Sequence, residues 1–205
     1  MIFRKVTSMK RSKIKVSFPA LLMFITPMLF GRANITLAVI LSAVLHETGH
    51  ILASVYLGIE LSSLSLDLLG AKLSTTGKLI SYKQEILLCL AGPMMNFITF
   101  AILFPLIFKG YIASEFAGCT LVSSAILGCV NMLPICSFDG GRVVSCLLSS
   151  LLPLRASNFI SNALSLFCVF CLWCISVYLL VRAGSTLTLF VFSLSVFTRT
   201  AISEE

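Results

Sequence analysis

Two histidines and a glutamate within five residues carry the clearest chemical signal in the sequence. His46, Glu47, Thr48, Gly49 and His50 form an H-E-x-x-H motif. In a helix, side chains four residues apart lie on one face, so His46 and His50 can bind one metal ion. Glu47 follows the first histidine, where it can take a proton from a water molecule that such an ion activates. The motif therefore predicts a catalytic metal site.

The surroundings of the motif favour this hypothesis over a chance match. His46 and His50 are the only two histidines of the chain, and both lie in a strongly apolar stretch around Leu41–His50. An unpaired polar group inside an apolar span is costly, so such groups usually have a function. The alternative is that the two imidazoles are merely hydrogen-bonded to neighbouring helices.

A catalytic zinc site usually has three protein ligands and one position for water, so a third ligand is needed. Asp139 is the most distinctive candidate, because Pro134 ends a helix before it and Gly140-Gly141 permits a tight turn with unusual backbone angles. That turn could direct the carboxylate toward His46 and His50. The alternative is an ordinary turn aspartate, since Asp-Gly is a common turn pair. The remaining acidic residues are Glu60, Asp67, Glu85, Glu115, Glu204 and Glu205.

A second polar feature interrupts another apolar stretch. In Gly92-Pro93-Met94-Met95-Asn96, the glycine and the proline open the backbone hydrogen-bond ladder, and Asn96 brings an amide into the membrane. Freed backbone groups are tolerated only where protein or a wet cavity satisfies them. We expect this segment to form a cavity wall that faces the metal. A simple helix kink, with Asn96 bonded to a neighbour, is the alternative.

The composition predicts an integral membrane protein. Of the 205 residues, 58% are hydrophobic and 11% are charged, whereas a soluble domain has about 25% charged residues. The net charge of +7 does not indicate nucleic acid. A basic cluster within residues 1–15 instead predicts a cytoplasmic tail that binds anionic lipid. Its members are Arg4, Lys5, Lys10, Arg11, Lys13 and Lys15.

The apolar stretches predict an all-α polytopic fold with about six transmembrane helices, each close to the roughly 20 residues that a bilayer requires. The predicted spans are Val16–Phe30, Ala33–Leu57, Glu85–Phe108, Ile112–Leu133, Asn158–Val181 and Ser185–Phe197. Val16–Phe30 is expected to be a retained span, because a poor cleavage site and another apolar run follow it. Basic residues in the loops predict a cytoplasmic N-terminus.

The loop between the second and third predicted spans has a different periodicity. Leucines and polar residues alternate over Ser63–Leu68, and turn residues follow, which predicts a small β-hairpin or sheet at the membrane surface. An ordinary interfacial loop is equally compatible with this sequence. The whole chain is expected to form one membrane-embedded domain, residues 1–205, with its core at residues 33–145.

These motifs together resemble the site-2 protease family of intramembrane zinc metalloproteases. His46, Glu47 and His50 match that family's H-E-x-x-H motif, and Gly92-Pro93-x-x-Asn96 matches its middle motif. The distal N-x-x-P…D-G motif is matched by Asn131, Pro134, Asp139 and Gly140. In size the chain is most similar to the branch that processes sporulation sigma-factor precursors, without the C-terminal nucleotide-binding domain of that branch.

The resemblance implies a zinc metalloendopeptidase of the bacterial cell membrane. It implies that His46, His50 and Asp139 bind one Zn²⁺ per chain, and that Glu47 is the general base. Asn96, Asn131 and Gly140 are candidates for binding the substrate backbone or the oxyanion. Other divalent ions also suit this ligand set.

The expected substrate is a membrane-associated protein that is cut in or near a transmembrane segment, with release of a transcription factor as one outcome. A segment that unwinds could add to the Leu64–Leu68 strand. Besides the bilayer, a regulatory membrane partner or a second copy of the chain could bind. The alternative function is non-catalytic, either an inactive homologue that binds membrane helices or a metal transporter. A transporter should place polar ligands along a path across the bilayer, whereas here they concentrate on one side.

Overall fold

The computed structural model describes residues 15–16, 33–59, 61–67, 70–75, 80–183 and 192–197 of the chain. These residues form a helical architecture, which confirms the predicted class at that level. The helices are α1 (Ala33–Leu57), α2 (Tyr82–Phe108), α3 (Glu115–Asn131), α4 (Asp139–Leu151), α5 (Leu154–Ala183) and α6 (192–197). The short strands are β1 (Lys15–Val16), β2 (Leu61–Asp67) and β3 (Gly70–Thr75).

Three of the helices, α1, α2 and α5, are long and apolar enough to cross a membrane. Helix α3 is apolar as well but has 17 residues. Helices α1, α2, α3 and α5 coincide, in that order, with the second, third, fourth and fifth predicted spans. The first predicted span, Val16–Phe30, lies outside the described residues except for Val16, and the sixth is described only at residues 192–197. The chain is thus a membrane protein by its helices, and the count of six spans stays a prediction.

The chain divides into two compact units, Met1–Asn131 and Met132–Glu205. Within the described residues, the first unit contains α1, α2, α3 and the strands, and the second contains α4, α5 and α6. The predicted single domain of residues 1–205 and the basic tail at residues 1–15 stay predictions.

Local sequence signals explain where α2 begins and where α1 and α2 end. At the start of α2, Ser81 and Gln84 form a capping box, in which the Gln84 backbone N–H donates to Ser81 Oγ and the Ser81 N–H donates to Gln84 Oε1. Gly58 follows α1 with φ +68°, and Gly110 follows α2 with φ +74°. Glycine is favoured at both positions because this left-handed conformation carries no Cβ penalty for it.

Helices α1 and α2 run antiparallel and approach closely through small residues. Gly49 of α1 lies against the backbone carbonyl of Ala91 in α2, and a Cβ atom at position 49 would overlap that carbonyl oxygen. The same Cβ would lie 3.1 Å from Cβ of Met95. Because small residues let backbones approach in a membrane bundle, this contact brings the side chains of one helix against the backbone of the other.

Helices α1 and α3 run parallel and are joined by a buried hydroxyl cluster, which we define as Ser42, Ser123 and Ser124. Ser42 Oγ lies 2.7 Å from Ser123 Oγ and 2.9 Å from Ser124 Oγ. At the N-terminal ends of the two helices, Asn34 Nδ2 donates to Glu115 Oε2 over 3.0 Å. Ser42 precedes His46 by one helical turn, so this cluster supports the part of α1 that carries the H-E-x-x-H motif.

The strands form a sheet in the order β1-β2-β3. β2 and β3 are antiparallel, with Asp67 opposite Gly70 and Leu61 opposite Thr75. β1 is parallel to β2 and pairs with it at Leu66. The edge of β2 opposite β3 is therefore occupied by β1 at this point, and β3 is an edge strand of this sheet.

In the second unit, the prediction of a turn with unusual backbone angles at Gly140-Gly141 is wrong. Both glycines lie in the first turn of α4, and neither is among the described glycines with positive φ. They are needed for close packing instead. A Cβ atom at Gly140 would overlap the carbonyl oxygen of Met132, and one at Gly141 would overlap that of Ile135. The chain before α4 therefore folds directly over the start of the helix.

Serine side chains also connect the elements of the second unit. The backbone N–H of Cys136 donates to Ser165 Oγ of α5 over 3.0 Å. Ser149 Oγ of α4 and Ser157 Oγ of α5 are 2.8 Å apart. These contacts tie the segment before α4, and α4 itself, to the long apolar helix α5.

Candidate metal centre

The two histidines of the motif lie on one buried face of α1. His46 is 5% exposed and His50 is 4% exposed. Their Nε2 atoms are 3.2 Å apart, and the two rings stand nearly perpendicular, with an interplanar angle of 78°. The helical spacing in the sequence predicted a common face, and the structure adds that the same nitrogen of each ring points into a shared space.

This distance fits two ligands of one metal ion. Zinc binds imidazole nitrogen at about 2.0–2.1 Å, so two such nitrogens at a tetrahedral angle lie about 3.3 Å apart. The observed 3.2 Å between the Nε2 atoms of His46 and His50 is close to that value. The pair therefore has the spacing of two imidazole ligands of a tetrahedral ion.

The other ring nitrogen of each histidine faces a polar group of α2. His50 Nδ1 lies 2.8 Å from the backbone carbonyl oxygen of Leu88. His46 Nδ1 lies 3.1 Å from the side-chain amide nitrogen of Asn96, which is fully buried. Metal-binding histidines nearly always donate their other ring N–H to an outer acceptor, which orients the ring, and the carbonyl of Leu88 is such an acceptor for His50. Helix α2 thus contacts the Nδ1 atoms of both rings.

Gly92 of α2 leaves room beside the two Nε2 atoms. A Cβ atom at this position would lie 2.7 Å from Nε2 of His46 and would overlap Nε2 of His50. The sequence predicted that Gly92 and Pro93 would open the helix toward a cavity wall. The structure brings Gly92 directly against the imidazole pair. Any side chain at this position would occupy the space of a metal ion bound by the two Nε2 atoms.

Glu47 lies next to His46 on α1 and is half-buried. One helical residue corresponds to a rotation of about 100°, so its carboxylate belongs to a neighbouring face rather than to the face of the histidines. A general base needs this kind of position, beside the ligands but outside the ligand set. The geometry is compatible with the predicted role of Glu47.

The remaining predicted site residues lie on other elements. Asn131 ends α3, and its amide Nδ2 donates to the carbonyl oxygen of Leu127 in its own helix over 3.1 Å. Asp139 and Gly140 belong to the second unit, where Asp139 is the first residue of α4 and is half-buried. The first unit by itself therefore brings together His46, His50, Gly92 and Asn96.

Sequence reasoning missed the carbonyl of Leu88. Every residue has a backbone carbonyl, so no residue type in the sequence could have identified the acceptor for His50. The antiparallel packing of α1 against α2 selects it. The position of Asn96 beside His46 was anticipated only as part of a general cavity wall, since nothing in the sequence states which helix face approaches which.

Neither a family model nor a curated protein sequence matches this chain. Its structure is similar to that of the "Site-2 Protease from Methanocaldococcus jannaschii", with a TM-score of 0.70 and 19% sequence identity. The similarity covers 94% of this chain and 90% of that chain. The resemblance predicted from the three motifs is therefore confirmed at the level of the fold.

Proposed function

We propose that this chain is an intramembrane zinc metalloendopeptidase. The observation that carries the proposal is the pair of buried Nε2 atoms of His46 and His50, 3.2 Å apart. Their spacing suits one tetrahedral ion, and each ring has an outer partner on α2. The fold shared with a site-2 protease supports the same reaction class.

The proposed ligand set is His46, His50 and Asp139. Each can offer one ligand atom, a ring nitrogen or a carboxylate oxygen. Two imidazoles and one carboxylate are a ligand combination that catalytic zinc accepts, with a fourth position left for water. The match of Asp139 to the distal D-G motif of the family supports its inclusion, and Gly140 follows it as the motif requires.

When bound, zinc would act as a Lewis acid. It would lower the pKa of a water molecule toward about 7 and polarise a carbonyl group. The protein residues do the rest. Glu47 takes the proton of the attacking water and later gives it to the leaving amine. Leu88 and Asn96 orient the two imidazoles. Burial of His46 and His50 keeps competing solvent away from their nitrogens. Asn131 and Gly140 stay candidates for binding the substrate backbone or the oxyanion.

The proposed substrate is a protein segment in or near the membrane. A helix hides its peptide bonds in its own hydrogen-bond ladder, so cleavage requires local unwinding, and substrates with helix-breaking residues should be preferred. Because β1 pairs with β2 at Leu66, addition of an extended substrate to the sheet would use the edge of β3. The proposal also places the protein in a bacterial membrane with a cytoplasmic N-terminus. Its proposed binding partners, besides the substrate, are a regulatory membrane protein or a second copy of the chain.

The test combines metal content with cleavage. The protein, purified in mild detergent, is mixed with synthetic transmembrane peptides that carry a Gly-Pro pair and a fluorophore-quencher pair. We expect the His46→Ala protein to lose both zinc and cleavage. We expect Glu47→Gln to keep zinc and to slow cleavage by about 10²–10⁴-fold. Glu85→Gln, the same change at the start of α2, is the matched control. It should keep both the bound zinc and the cleavage rate of the unmodified protein.

Three results would contradict the proposal. Cleavage that persists unchanged in Glu47→Gln would remove this residue from the mechanism and point to a contaminating protease. Zinc that remains bound to His46→Ala at the level of the unmodified protein would exclude the histidine pair as the metal site. A protein that binds zinc but cuts no peptide of the panel would favour the non-catalytic alternative.

A further inference from the structure

Three contacts join four buried groups in one line across the α1 and α2 interface. The Asn96 amide nitrogen lies 3.1 Å from His46 Nδ1, and His46 Nε2 lies 3.2 Å from His50 Nε2. His50 Nδ1 then lies 2.8 Å from the carbonyl oxygen of Leu88. Each of the four residues is at most 5% exposed, so water does not replace these contacts.

The last contact determines which nitrogen of His50 carries hydrogen. A backbone carbonyl can only accept, so the Nδ1 atom of His50 must donate to Leu88. A neutral imidazole has one N–H group, which leaves a bare lone pair on Nε2 of His50. This nitrogen can accept a hydrogen bond or bind a metal ion, but it cannot donate.

His46 then has two neutral tautomers. Its Nδ1 atom, which faces Asn96, has a lone pair in one tautomer and carries hydrogen in the other. With the hydrogen on Nε2, His46 donates to Nε2 of His50, and its Nδ1 accepts from the amide N–H of Asn96. With the hydrogen on Nδ1, two lone pairs face each other over 3.2 Å, which is favourable only when a cation binds both. His46 Nδ1 then requires an acceptor in place of the amide N–H group.

The Asn96 side chain can supply both groups from one position. The oxygen and the nitrogen of an amide have nearly the same size, so a rotation of about 180° exchanges them without displacing neighbours. Asn96 Oδ1 is buried and has no hydrogen-bond partner within the part of the chain that the structure describes. Its rotation toward His46 therefore gains a hydrogen bond for Oδ1 and breaks none that this atom makes.

We propose that Asn96 is a positioning residue that pairs with both tautomers of His46 and rotates its amide when a metal ion binds the two Nε2 atoms. The inference rests on the proposed metal site. One proton leaves Nε2 of His46 and one is taken up at Nδ1, so the tautomer change releases no net proton. Asparagine suits this role because it both donates and accepts, whereas a carboxylate only accepts.

The tautomers can be read directly, since the chain contains only two histidines. The experiment records ¹⁵N–¹H correlation spectra of ¹⁵N-histidine-labelled protein in detergent micelles, at about pH 8.5, where an ordinary histidine is neutral. After treatment with a chelator, we expect one Nε2–H and one Nδ1–H histidine. After addition of one equivalent of zinc, we expect two Nδ1–H histidines. The same tautomers in both samples, or two Nδ1–H histidines with chelator, would overturn the proposal.

Two variants separate the donor from the acceptor function of Asn96. In Asn96→Asp, which has nearly the same shape but whose side chain only accepts, Nδ1 of His46 should carry hydrogen even with chelator. In Asn96→Leu, zinc affinity measured by competition with a chromophoric chelator should fall by about 10–100-fold, the usual cost of losing an outer partner. Asn162→Leu, the same change on α5, should leave affinity and tautomers unaltered. Unchanged affinity in a folded Asn96→Leu protein would contradict the proposed role.

These readouts are independent of proteolysis. A protein that shows the tautomer change but cuts no peptide would contradict the proposed enzyme function and still support the proposed role of Asn96. An active zinc protease whose His46 has one tautomer throughout would sink the role of Asn96 alone.

Discussion

Gly92 lies so close to His50 that a Cβ atom at position 92 would overlap Nε2 of that histidine. This nitrogen is the one that faces Nε2 of His46 across 3.2 Å. The absence of a side chain on α2 is thus what leaves space beside both proposed ligand atoms. A glycine in the middle of an apolar helix weakens the helix slightly, and here that cost has a specific structural reason.

The first prediction concerns this space. Gly92→Ala should abolish zinc binding. The new methyl group would push the two Nε2 atoms out of the positions from which both can bind one ion. The measurement is zinc content by atomic spectroscopy after purification, with helix content measured by circular dichroism as a folding check.

Gly118→Ala is the matched control for this change. Gly118 lies inside α3 with nothing within 4 Å of its would-be Cβ atom. There alanine should keep zinc and raise stability by about 0.4–1 kcal/mol. Full zinc content in Gly92→Ala would show that the space beside the histidines is not where the metal binds.

The second prediction concerns the third ligand. Asp139→Ala and His46→Ala should both lose the bound zinc, because two remaining protein ligands rarely hold a catalytic ion. Zinc content is measured in parallel for the two variants and the unmodified protein, which should contain about one zinc per chain. Loss in His46→Ala alone would remove Asp139 from the site and would make another acidic residue the third ligand.

The third prediction concerns the hydroxyl cluster of Ser42, Ser123 and Ser124. Ser42→Ala removes contacts of 2.7 and 2.9 Å between α1 and α3. Interhelical hydrogen bonds in membranes contribute about 0.6 kcal/mol each, so unfolding free energy should fall by about 1 kcal/mol. Thermal unfolding in detergent measures this change.

A double variant tests whether these serines act together. Ser42→Ala combined with Ser124→Ala should destabilise less than the sum of the single changes, because the two share a hydrogen bond. Ser150→Ala is the control, since its exposed hydroxyl donates to the carbonyl oxygen of Leu147 in its own helix. Strict additivity would mean that the cluster contributes through packing rather than through hydrogen bonds.

The fourth prediction concerns the start of α4. In Gly141→Ala, the added Cβ would overlap the carbonyl of Ile135, so the chain before α4 must move away. Overpacking of this kind costs about 1–3 kcal/mol. Limited proteolysis at the segment before α4 should therefore be faster than in the Gly118→Ala control. Equal proteolysis rates would show that this segment is not held by the close approach.

Much of the fold was predictable from local sequence. Helices α1, α2, α3 and α5 lie where apolar stretches of suitable length predicted spans, because the length of an apolar run alone decides whether it can cross a bilayer. Helix α4 was not predicted. It begins with Asp139, Gly140 and Gly141, which by residue type indicate a turn, and its packing against the preceding carbonyls outweighs that preference.

By itself, the sequence determined that His46 and His50 share a helix face, since a spacing of four residues has that consequence in any helix. It determined as well that the site lies in an apolar environment. Only the tertiary structure decided that Gly92 faces the Nε2 atoms, that Leu88 accepts from His50 and that Asn96 contacts His46. The register of α1 against α2 selects those partners, and it arises from the close contact at Gly49 and Ala91, whose residue types alone do not specify which backbones meet.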